Sequence, residues 1–320
     1  MAGSKGVVIA AMIANGGIAI LKFIGFLLTG SPSMLAETYH SISDTGNQVL
    51  LLVGIRYSSR SANEAHPFGH GKAQFFYAFL VSVLLFGVAG WESLKHGISE
   101  VQAGGHETET GAAEFLWFTI DIETPVDPFW ISVAILVGAI GFETWAFLKA
   151  RGELRRQMRT YGWSTYREAF KRTSDVSTLT AFVEDTIALL GLVVALAGIT
   201  ISRVTDNPVY DAVGAVVIGV LLMLFAVALA LENKRLILGE SLPEDIEADL
   251  RAVIEGHEGV RSVDDLRSMF VGAGRVLVTV DVSFDPELVA GDLEERVAAI
   301  EDDLRERESR VKLVYIEPEL

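Results

Sequence analysis

The chain of 320 residues contains no cysteine. This absence excludes disulfide bonds and thiolate metal sites, so any bound metal ion must use imidazole, carboxylate or amide groups. Three common motifs are missing as well: there is no GxxxxGK(S/T) phosphate loop, no dinucleotide-binding fingerprint and no GxSxG nucleophile elbow. The sequence therefore gives no indication of nucleotide-dependent or serine-hydrolase chemistry.

Positive charge is scarce, and the deficit is uneven along the chain. The net charge is −16 overall, and residues 241–320 hold 21 Asp and Glu against 9 Lys and Arg. The tail thus carries −12 and the preceding part −4. This acidic tail argues against binding of nucleic acid or anionic lipid there. It fits either an ordinary solvated surface or a salt-rich cytoplasm.

Apolar residues, in contrast, are abundant. They make up 50% of the chain, and the mean hydropathy of +0.38 is too high for an ordinary soluble protein. Roughly 20 apolar residues are needed to cross a bilayer. Six segments reach that length: 7–28, 34–57, 75–94, 129–148, 179–202 and 209–231. The sequence predicts a membrane all-α bundle of six spans, the first of which is a retained helix and not a signal peptide.

The orientation of these spans follows from the Lys and Arg residues. They are concentrated between the second and third segments, between the fourth and fifth, and directly after the sixth. Because basic loops stay on the cytoplasmic side, we expect both termini in the cytoplasm, and we expect the cell membrane as the location.

The tail is predicted to form a separate cytoplasmic α+β domain. Helical patterns occupy 244–255 and 293–304, and strand patterns occupy 263–270, 275–284 and 311–316. The α-β-β-α-β order fits a small sheet with helices on one face. We therefore divide the chain into a membrane domain, residues 1–236, and a cytoplasmic domain, residues 237–320.

Polar side chains distinguish the second and fifth segments from the other four. His40 and Asp44 stand four residues apart and share a helical face. The same stripe also contains Glu37, Asn47 and Gln48, and the fifth segment contains Glu184 and Asp185. Imidazoles and carboxylates are metal ligands. Ionisable groups at bilayer depth are costly and usually mark a site or a pathway.

If the two segments pack together, His40, Asp44 and Asp185 would converge on one divalent cation. Glu184 would be a fourth ligand or a neighbour of the ligands, and the carboxylates would neutralise the ion. The alternative is that these groups hydrogen-bond neighbouring helices as polar contacts. Elsewhere, Glu143 is interpreted as an interfacial residue near a helix end. Lys22 either snorkels to the interface or faces the bundle.

A second cluster lies in the connection that enters the third segment. His66 and His70 are four residues apart in the string from Asn63 to Lys72. Two imidazoles at this spacing would bind a second metal ion. Alternatively the loop is a rigid connector, in which Pro67 and Gly69 interrupt the helix and the imidazoles bond to backbone groups. Spacing alone leaves both interpretations open.

Together these residues resemble the cation diffusion facilitators, a family of metal/proton antiporters, over nearly the whole chain. The resemblance rests on five strings: Leu28-Thr-Gly-Ser31, Glu37-x-x-His40-Ser-x-x-Asp44, His66-Pro-Phe-Gly-His70-Gly-Lys72, Leu238-Gly-Glu240-Ser and His257-Glu-Gly-Val260. Glu184 and Asp185 with His40 make the chain similar to the subgroup that includes the animal mitochondrial zinc transporter.

The resemblance implies a homodimer whose C-terminal domain is ferredoxin-like and mediates dimerisation. It implies a transport metal site formed by His40, Asp44 and Asp185. The usual second ligand of the fifth segment, four residues before Asp185, is replaced by Ala181, and Glu184 is the substitute. It implies no catalytic residue and no permanent cofactor.

The resemblance also weakens the case for metal binding at two further sites. Asn63 stands where the loop site usually has an acid, so we doubt metal binding there by His66 and His70. In the tail, His257 and Glu317 match metal positions of some members, yet the other ligands are missing, so we expect weak or absent sites. Lys72 resembles an ion-pairing residue, with Glu240 as its candidate partner.

The expected function is proton-coupled efflux of a divalent cation. Zn²⁺ is the first choice, and Mn²⁺, Fe²⁺, Co²⁺ or Ni²⁺ are alternatives. His40 would act as the proton switch, because imidazole titrates near neutral pH. Two other hypotheses are a membrane metal sensor without transport, and a membrane acyltransferase with His40-x-x-x-Asp44 as its motif.

Overall fold

The structure is a computed structural model, and it describes residues 2–104, 113–115, 118–120, 126–166, 168–169 and 176–319. The chain forms two compact units. One comprises Met1–Leu52 and Ala78–Leu231, and the other comprises Val53–Tyr77 and Glu232–Leu320. We refer to them as the helical unit and the tail unit.

Long helices dominate the chain up to Leu238. In order, the elements are α1 (Ala2–Thr29), α2 (Pro32–Ser58), α3 (Ala73–Leu80), a π-helical turn (Val81–Phe86), α4 (Gly87–Gln102), β1 (Ala113–Phe115), β2 (Phe118–Ile120), α5 (Pro128–Tyr161), α6 (Val176–Thr205) and α7 (Val209–Leu238). Strands β1 and β2 pair in antiparallel orientation.

Within the described residues, four helices are long and apolar enough to cross a membrane. They are Ala73–Gln102, Pro128–Arg159, Phe182–Thr205 and Val209–Leu238, which match the third to sixth predicted segments. The prediction of an integral membrane protein is confirmed. The first two predicted segments are helical as α1 and α2. Helix α2 is not among these four, because the polar stripe from Glu37 to Gln48 lowers its mean hydropathy.

Polar contacts fix the start of α2 beside the start of α7. The Ser31 hydroxyl accepts a hydrogen bond from the backbone N–H of Met34 at 3.2 Å, as expected of a residue that caps a helix. The same hydroxyl donates to Oδ2 of Asp211 at 2.5 Å, and the Ser33 hydroxyl donates to the Asp211 carbonyl at 2.8 Å. The polar stripe of α2 is therefore held at a defined depth in the helical unit.

Apolar side chains from six helices, α1, α2 and α4 to α7, form the core of the helical unit. Fully buried examples are Phe26 of α1, Met34 of α2, Leu136 of α5, Leu192 of α6 and Leu222 of α7. Helix α5 packs along both α1 and α6. The polar stripe of α2 thus faces a tightly packed interior in which a charged group needs a partner.

The tail unit contains the predicted α+β fold elements. They are α8 (Glu244–Glu255), β3 (Val260–Gly272), β4 (Arg275–Phe284), α9 (Ala290–Arg307) and β5 (Val311–Glu319). The strand order is β3-β4-β5, with β3 antiparallel and β5 parallel to β4. The alternating valines of β4 are buried against Leu250, Ile254, Ile300 and Leu304 of the two helices. The predicted α-β-β-α-β order is confirmed.

The connection between α2 and α3 belongs to the tail unit and packs against the β3–β4 hairpin. Gly71 lies so close to this hairpin that any side chain there would collide with the carbonyl oxygen of Val271. Gly272, on the other side, would place a Cβ 2.8 Å from the Gly71 Cα. The two glycines therefore allow two backbones to touch.

Lys72 does not pair with Glu240, its candidate partner, within the described residues of this chain. The Lys72 ammonium donates to the carbonyl oxygen of Ile237 at 3.4 Å. Glu240 is instead bonded by Arg235, five residues earlier in the chain. The shorter reach along the chain favours this local pair over the distant lysine.

Candidate metal site in the helical unit

His40 and Asp44 lie on one face of α2, as predicted from their spacing. His40 Nε2 is 3.5 Å from Asp44 Oδ2, and the two residues are only 2% and 6% exposed. Asp44 Oδ1 has no hydrogen-bond partner among the described residues. A buried carboxylate oxygen without a partner is costly unless a proton or a cation satisfies it.

Helix α6 contributes carboxylates at the same level. Asn47 Nδ2 donates to Oε2 of Glu184 at 3.4 Å, and the carboxyl groups of Asp44 and Glu184 are close enough for a hydrogen bond between them. About two turns away, toward the start of α2 and the end of α6, the Glu37 carboxylate fits against Gly191. The second and fifth predicted segments therefore pack together along their polar faces.

Asp185 and Gln48 complete the set of predicted polar residues on these helices. Asp185 is partly buried beside Glu184, and its carboxyl group interacts electrostatically with Glu184 and Glu143. The side-chain oxygen of Gln48 is buried and has no hydrogen-bond partner within the described part of the chain. In that same part, no group of three or more His, Asp or Glu side chains is arranged to hold one metal ion. Convergence of all four predicted ligands stays a prediction.

Two ionisable residues beside this cluster were not predicted to belong to it. Lys22 of α1 is fully buried, and its ammonium donates to Oε2 of Glu37 at 2.7 Å. Of the two possibilities, Lys22 thus faces the bundle. Glu143 is 9% exposed within α5, so its interpretation as interfacial is wrong. Both were detectable in sequence only as isolated charges inside apolar segments.

Asn63 has a structural role in the loop that contains His66 and His70. Its side-chain oxygen accepts a hydrogen bond from the His66 backbone N–H at 2.8 Å. The backbones of Asn63 and His66 also bond to each other in both directions. This pairing closes a tight turn and engages the Asn63 amide oxygen in a hydrogen bond.

The two loop histidines border a cavity of about 660 Å³ in the tail unit. Their rings lie 4.2 Å apart at 32°, and Tyr57 meets His70 edge-on at 5.4 Å. His70 Nδ1 is buried and has no hydrogen-bond partner within the described residues. The Asn63 turn fits a structural connector, and metal binding by His66 and His70 stays a prediction.

The tail histidine and glutamate lie in different surroundings. His257 Nε2 is 3.2 Å from Asp303 Oδ2 of α9. Glu317 is exposed on β5, opposite Asp281 of β4. Each has an acidic neighbour of its own, and the structure gives no shared ligand set for them among the described residues.

Comparison with curated proteins finds several metal transporters. The proton-coupled zinc antiporter SLC30A9, mitochondrial, of Homo sapiens is 30% identical over 284 residues, which cover 88% of this chain and 46% of that protein. Metal tolerance protein C4 of Arabidopsis thaliana is 24% identical over 286 residues, covering 89% and 58%. The cation-efflux pump FieF of Serratia proteamaculans is 27% identical over 286 residues, covering 85% and 79%. The chain spans about half the length of the first of these relatives.

Two family models together match nearly the whole chain. Residues 242–319 match the cytoplasmic domain of cation efflux proteins. Residues 8–238 match the cation efflux transmembrane domain. Because the match to the transmembrane domain covers well over half of the chain, the protein belongs to the cation efflux family, also called the cation diffusion facilitators.

Proposed function

We propose that the protein is a proton-coupled efflux transporter of divalent metal cations, with Zn²⁺ as its main substrate. The observation that carries this proposal is the buried polar face shared by α2 and α6. There His40, Asp44 and Glu184 lie together in an apolar bundle. Membership of the cation efflux family supports efflux of a metal cation. The name of the human relative, a proton-coupled zinc antiporter, supports zinc and proton coupling.

In this proposal His40, Asp44, Asp185 and Glu184 bind the ion, and Glu37, Asn47 and Gln48 contact these ligands or line the ion's path. Carboxylates offset the charge of the cation inside the bundle. Protonation of His40 from the outer side releases the ion, because an imidazolium has no lone pair left for a metal. Alternating access follows from rocking of a helix bundle that includes α2 and α6.

The proposed architecture has six membrane spans, with both termini in the cytoplasm. The proposed location is the cell membrane. Residues 1–236 form the transport domain. Residues 237–320 form a ferredoxin-like domain that joins two copies into a homodimer. The α-β-β-α-β order of the tail and its match to the cytoplasmic domain of cation efflux proteins support this assignment.

The choice of metal is the second part of the proposal. One imidazole with carboxylates suits Mn²⁺, Fe²⁺, Co²⁺ and Ni²⁺ as well as Zn²⁺. The metal is the transported substrate, and the proposal includes no permanently bound cofactor. A flux assay in proteoliposomes with each metal competing against zinc ranks the five ions.

The two other hypotheses fare differently. Cation efflux proteins are transporters and not enzymes, so the acyltransferase hypothesis is dropped. A sensor without transport is told apart by experiment, because it would bind zinc in detergent and move none across liposomes.

Uptake of ⁶⁵Zn into inside-out vesicles under an imposed pH gradient tests the proposal. Wild-type protein should take up zinc in proportion to the gradient. Asp185→Ala should abolish this uptake, because the ion loses one of its four proposed ligands and its coordination is no longer complete. Glu153→Gln is the control, since among the described residues Glu153 pairs with Arg156 near the exposed end of α5. Unchanged uptake by Asp185→Ala would refute the site.

A further inference from the structure

Lys22 and Glu37 form an ion pair, and the proposed transport cycle gives no role to Lys22. The Lys22 ammonium and Glu37 Oε2 are 2.7 Å apart, and both residues are 0% exposed. The pair links α1 to α2 in the interior of the helical unit. A full charge at this depth persists only beside an opposite charge.

The pair lies next to the proposed metal site. Glu37 precedes His40 by three residues, so the two side chains are neighbours on one helical face. The other oxygen of Glu37 fits against Gly191 of α6, where a Cβ would stand 2.5 Å away. The Lys22 charge also acts directly on His40, Asp44 and Glu143. The Lys22 ammonium thus lies within electrostatic reach of the groups proposed to bind the transported cation.

The need to pack α1 against α2 does not by itself explain this buried ion pair. Two apolar side chains of similar volume would join α1 and α2 at least as stably, because burying two charges costs as much as their attraction returns. The pair is also asymmetric, since Glu37 Oε1 has no hydrogen-bond partner among the described residues. One oxygen of Glu37 is held by Lys22 and the other is left unsatisfied beside α6.

We propose that Lys22 is a resident counter-cation that limits the affinity of the metal site. Its ammonium repels the divalent cation and holds the Glu37 carboxylate away from the ion. A transporter needs this limit, because an ion bound too tightly is released too slowly. The inference rests on the proposed function and adds to it a residue of α1 that sets affinity without contacting the metal.

The proposal predicts opposite effects for the two halves of the pair. Lys22→Met removes the repulsive charge and frees the Glu37 carboxylate, so zinc should bind more tightly. Glu37→Gln leaves the ammonium less well neutralised, so zinc should bind more weakly. A pair that only held two helices together would give weaker binding in both variants, since either change would loosen the same contact.

The test is zinc titration calorimetry on full-length protein in detergent, combined with zinc flux in proteoliposomes. Lys22→Met should lower the zinc Kd at least tenfold, equivalent to about 1.4 kcal/mol. It should lower both KM and kcat, because release becomes slower. Glu37→Gln should raise the Kd at least tenfold. Lys22→Arg, which keeps the charge, should stay within about twofold of wild type.

Two results would overturn the proposal: a shift of Kd in the same direction for Lys22→Met and Glu37→Gln, or a Lys22→Met Kd equal to that of wild type. If Lys22→Met does not fold, Lys22→Gln replaces it with the same expected direction, since an amide still donates to Glu37. An absence of zinc flux in the wild type would refute the proposed transport function. The comparison of Kd values tests the role of Lys22 independently of flux.

Discussion

Gly191 illustrates at the scale of a single residue how a missing side chain makes room for a charged one. Its place on α6 is filled by the Glu37 carboxylate from α2, whose nearest oxygen would stand 2.5 Å from a Cβ at this position. Glu37 is fully buried and bonded to Lys22, so it has little freedom to move aside. The lack of a side chain at Gly191 of α6 therefore makes room for the Glu37 carboxylate of α2.

Gly191→Ala should destabilise the protein by about 1–3 kcal/mol and raise the zinc Kd, because an added methyl group overpacks the site and displaces Glu37. Thermal unfolding in detergent and zinc titration measure the two effects. Gly138→Ala is the matched control, because Gly138 is a helical glycine of α5 where an added Cβ would meet nothing within 4 Å. Its expected change is neutral or slightly stabilising. Equal behaviour of the two variants would contradict the match between Gly191 and Glu37.

Spacing within one helix was enough to predict neighbours on that helix, whereas the interhelical partners of Lys22 and Glu143 were not predicted. The spacing of His40 and Asp44 is enough to place them on one face of α2, and their distance of 3.5 Å agrees. The ion pair of Lys22 with Glu37, and the electrostatic interaction of Glu143 with the carboxyl groups of α6, join segments far apart in the chain. No periodicity within one segment reveals such pairs, since they depend on which helices are neighbours.

At the scale of elements, the turn between α9 and β5 is organised by one ion pair. Arg310 donates through Nε and a terminal nitrogen to both oxygens of Glu308, at 2.9 and 2.8 Å. The Arg310 backbone N–H also donates to Glu308 at 3.0 Å. These hydrogen bonds from Arg310 hold the pKa of the Glu308 carboxyl below its ordinary value. The ionised carboxylate is thus the form that the folded turn prefers.

This preference predicts the pH dependence of the turn. A carboxyl whose pKa is depressed on folding stabilises the fold at pH values above its unfolded pKa, near 4.3 for Glu. That stabilisation is lost as the pH falls through the lower folded value. Glu308→Gln should therefore cost about 1 kcal/mol of local stability at pH 7, the scale of a partly solvent-screened pair, and progressively less below pH 4.

Hydrogen exchange of peptides from α9 and β5, measured across this pH range, reports the difference. Glu301→Gln is the comparison variant, because Glu301 pairs with Arg305 along the surface of α9. Such helical pairs contribute only about 0.3–0.5 kcal/mol. A Glu308→Gln deficit that stays constant from pH 7 to pH 3 would show that the carboxylate charge is not responsible.

Elements with an unbroken pattern were predicted more accurately than those with irregular pairing. The alternating valines of β4 predict a strand over 275–284, and the strand is Arg275–Phe284. Strand β3 extends further, from Val260 to Gly272, than the predicted 263–270. Its pairing with β4 shifts register near both ends. A register shift breaks the alternation of inward and outward side chains, so a pattern search loses the ends of such a strand.

At the scale of the whole molecule, charge is divided between the two parts of the sequence. Residues 241–320 carry −12 of the net −16, and Glu317 and Glu319 lie exposed on β5, the edge strand of the tail sheet. In the proposed homodimer, two such domains associate despite their like charge. Apolar contacts must then outweigh a repulsion that mobile ions reduce.

The dimer should consequently become tighter as salt is added. Screening acts over about 8–10 Å at physiological ionic strength, so raising NaCl from about 20 to 200 mM should lower the dimer dissociation constant on the order of tenfold. Sedimentation of the detergent-solubilised protein measures this constant. The double variant Glu317→Gln, Glu319→Gln should show a weaker salt dependence, because it removes charge from the exposed edge. A dimer that dissociates on addition of salt would instead be held by ion pairs between the two copies, and the repulsion argument would be wrong.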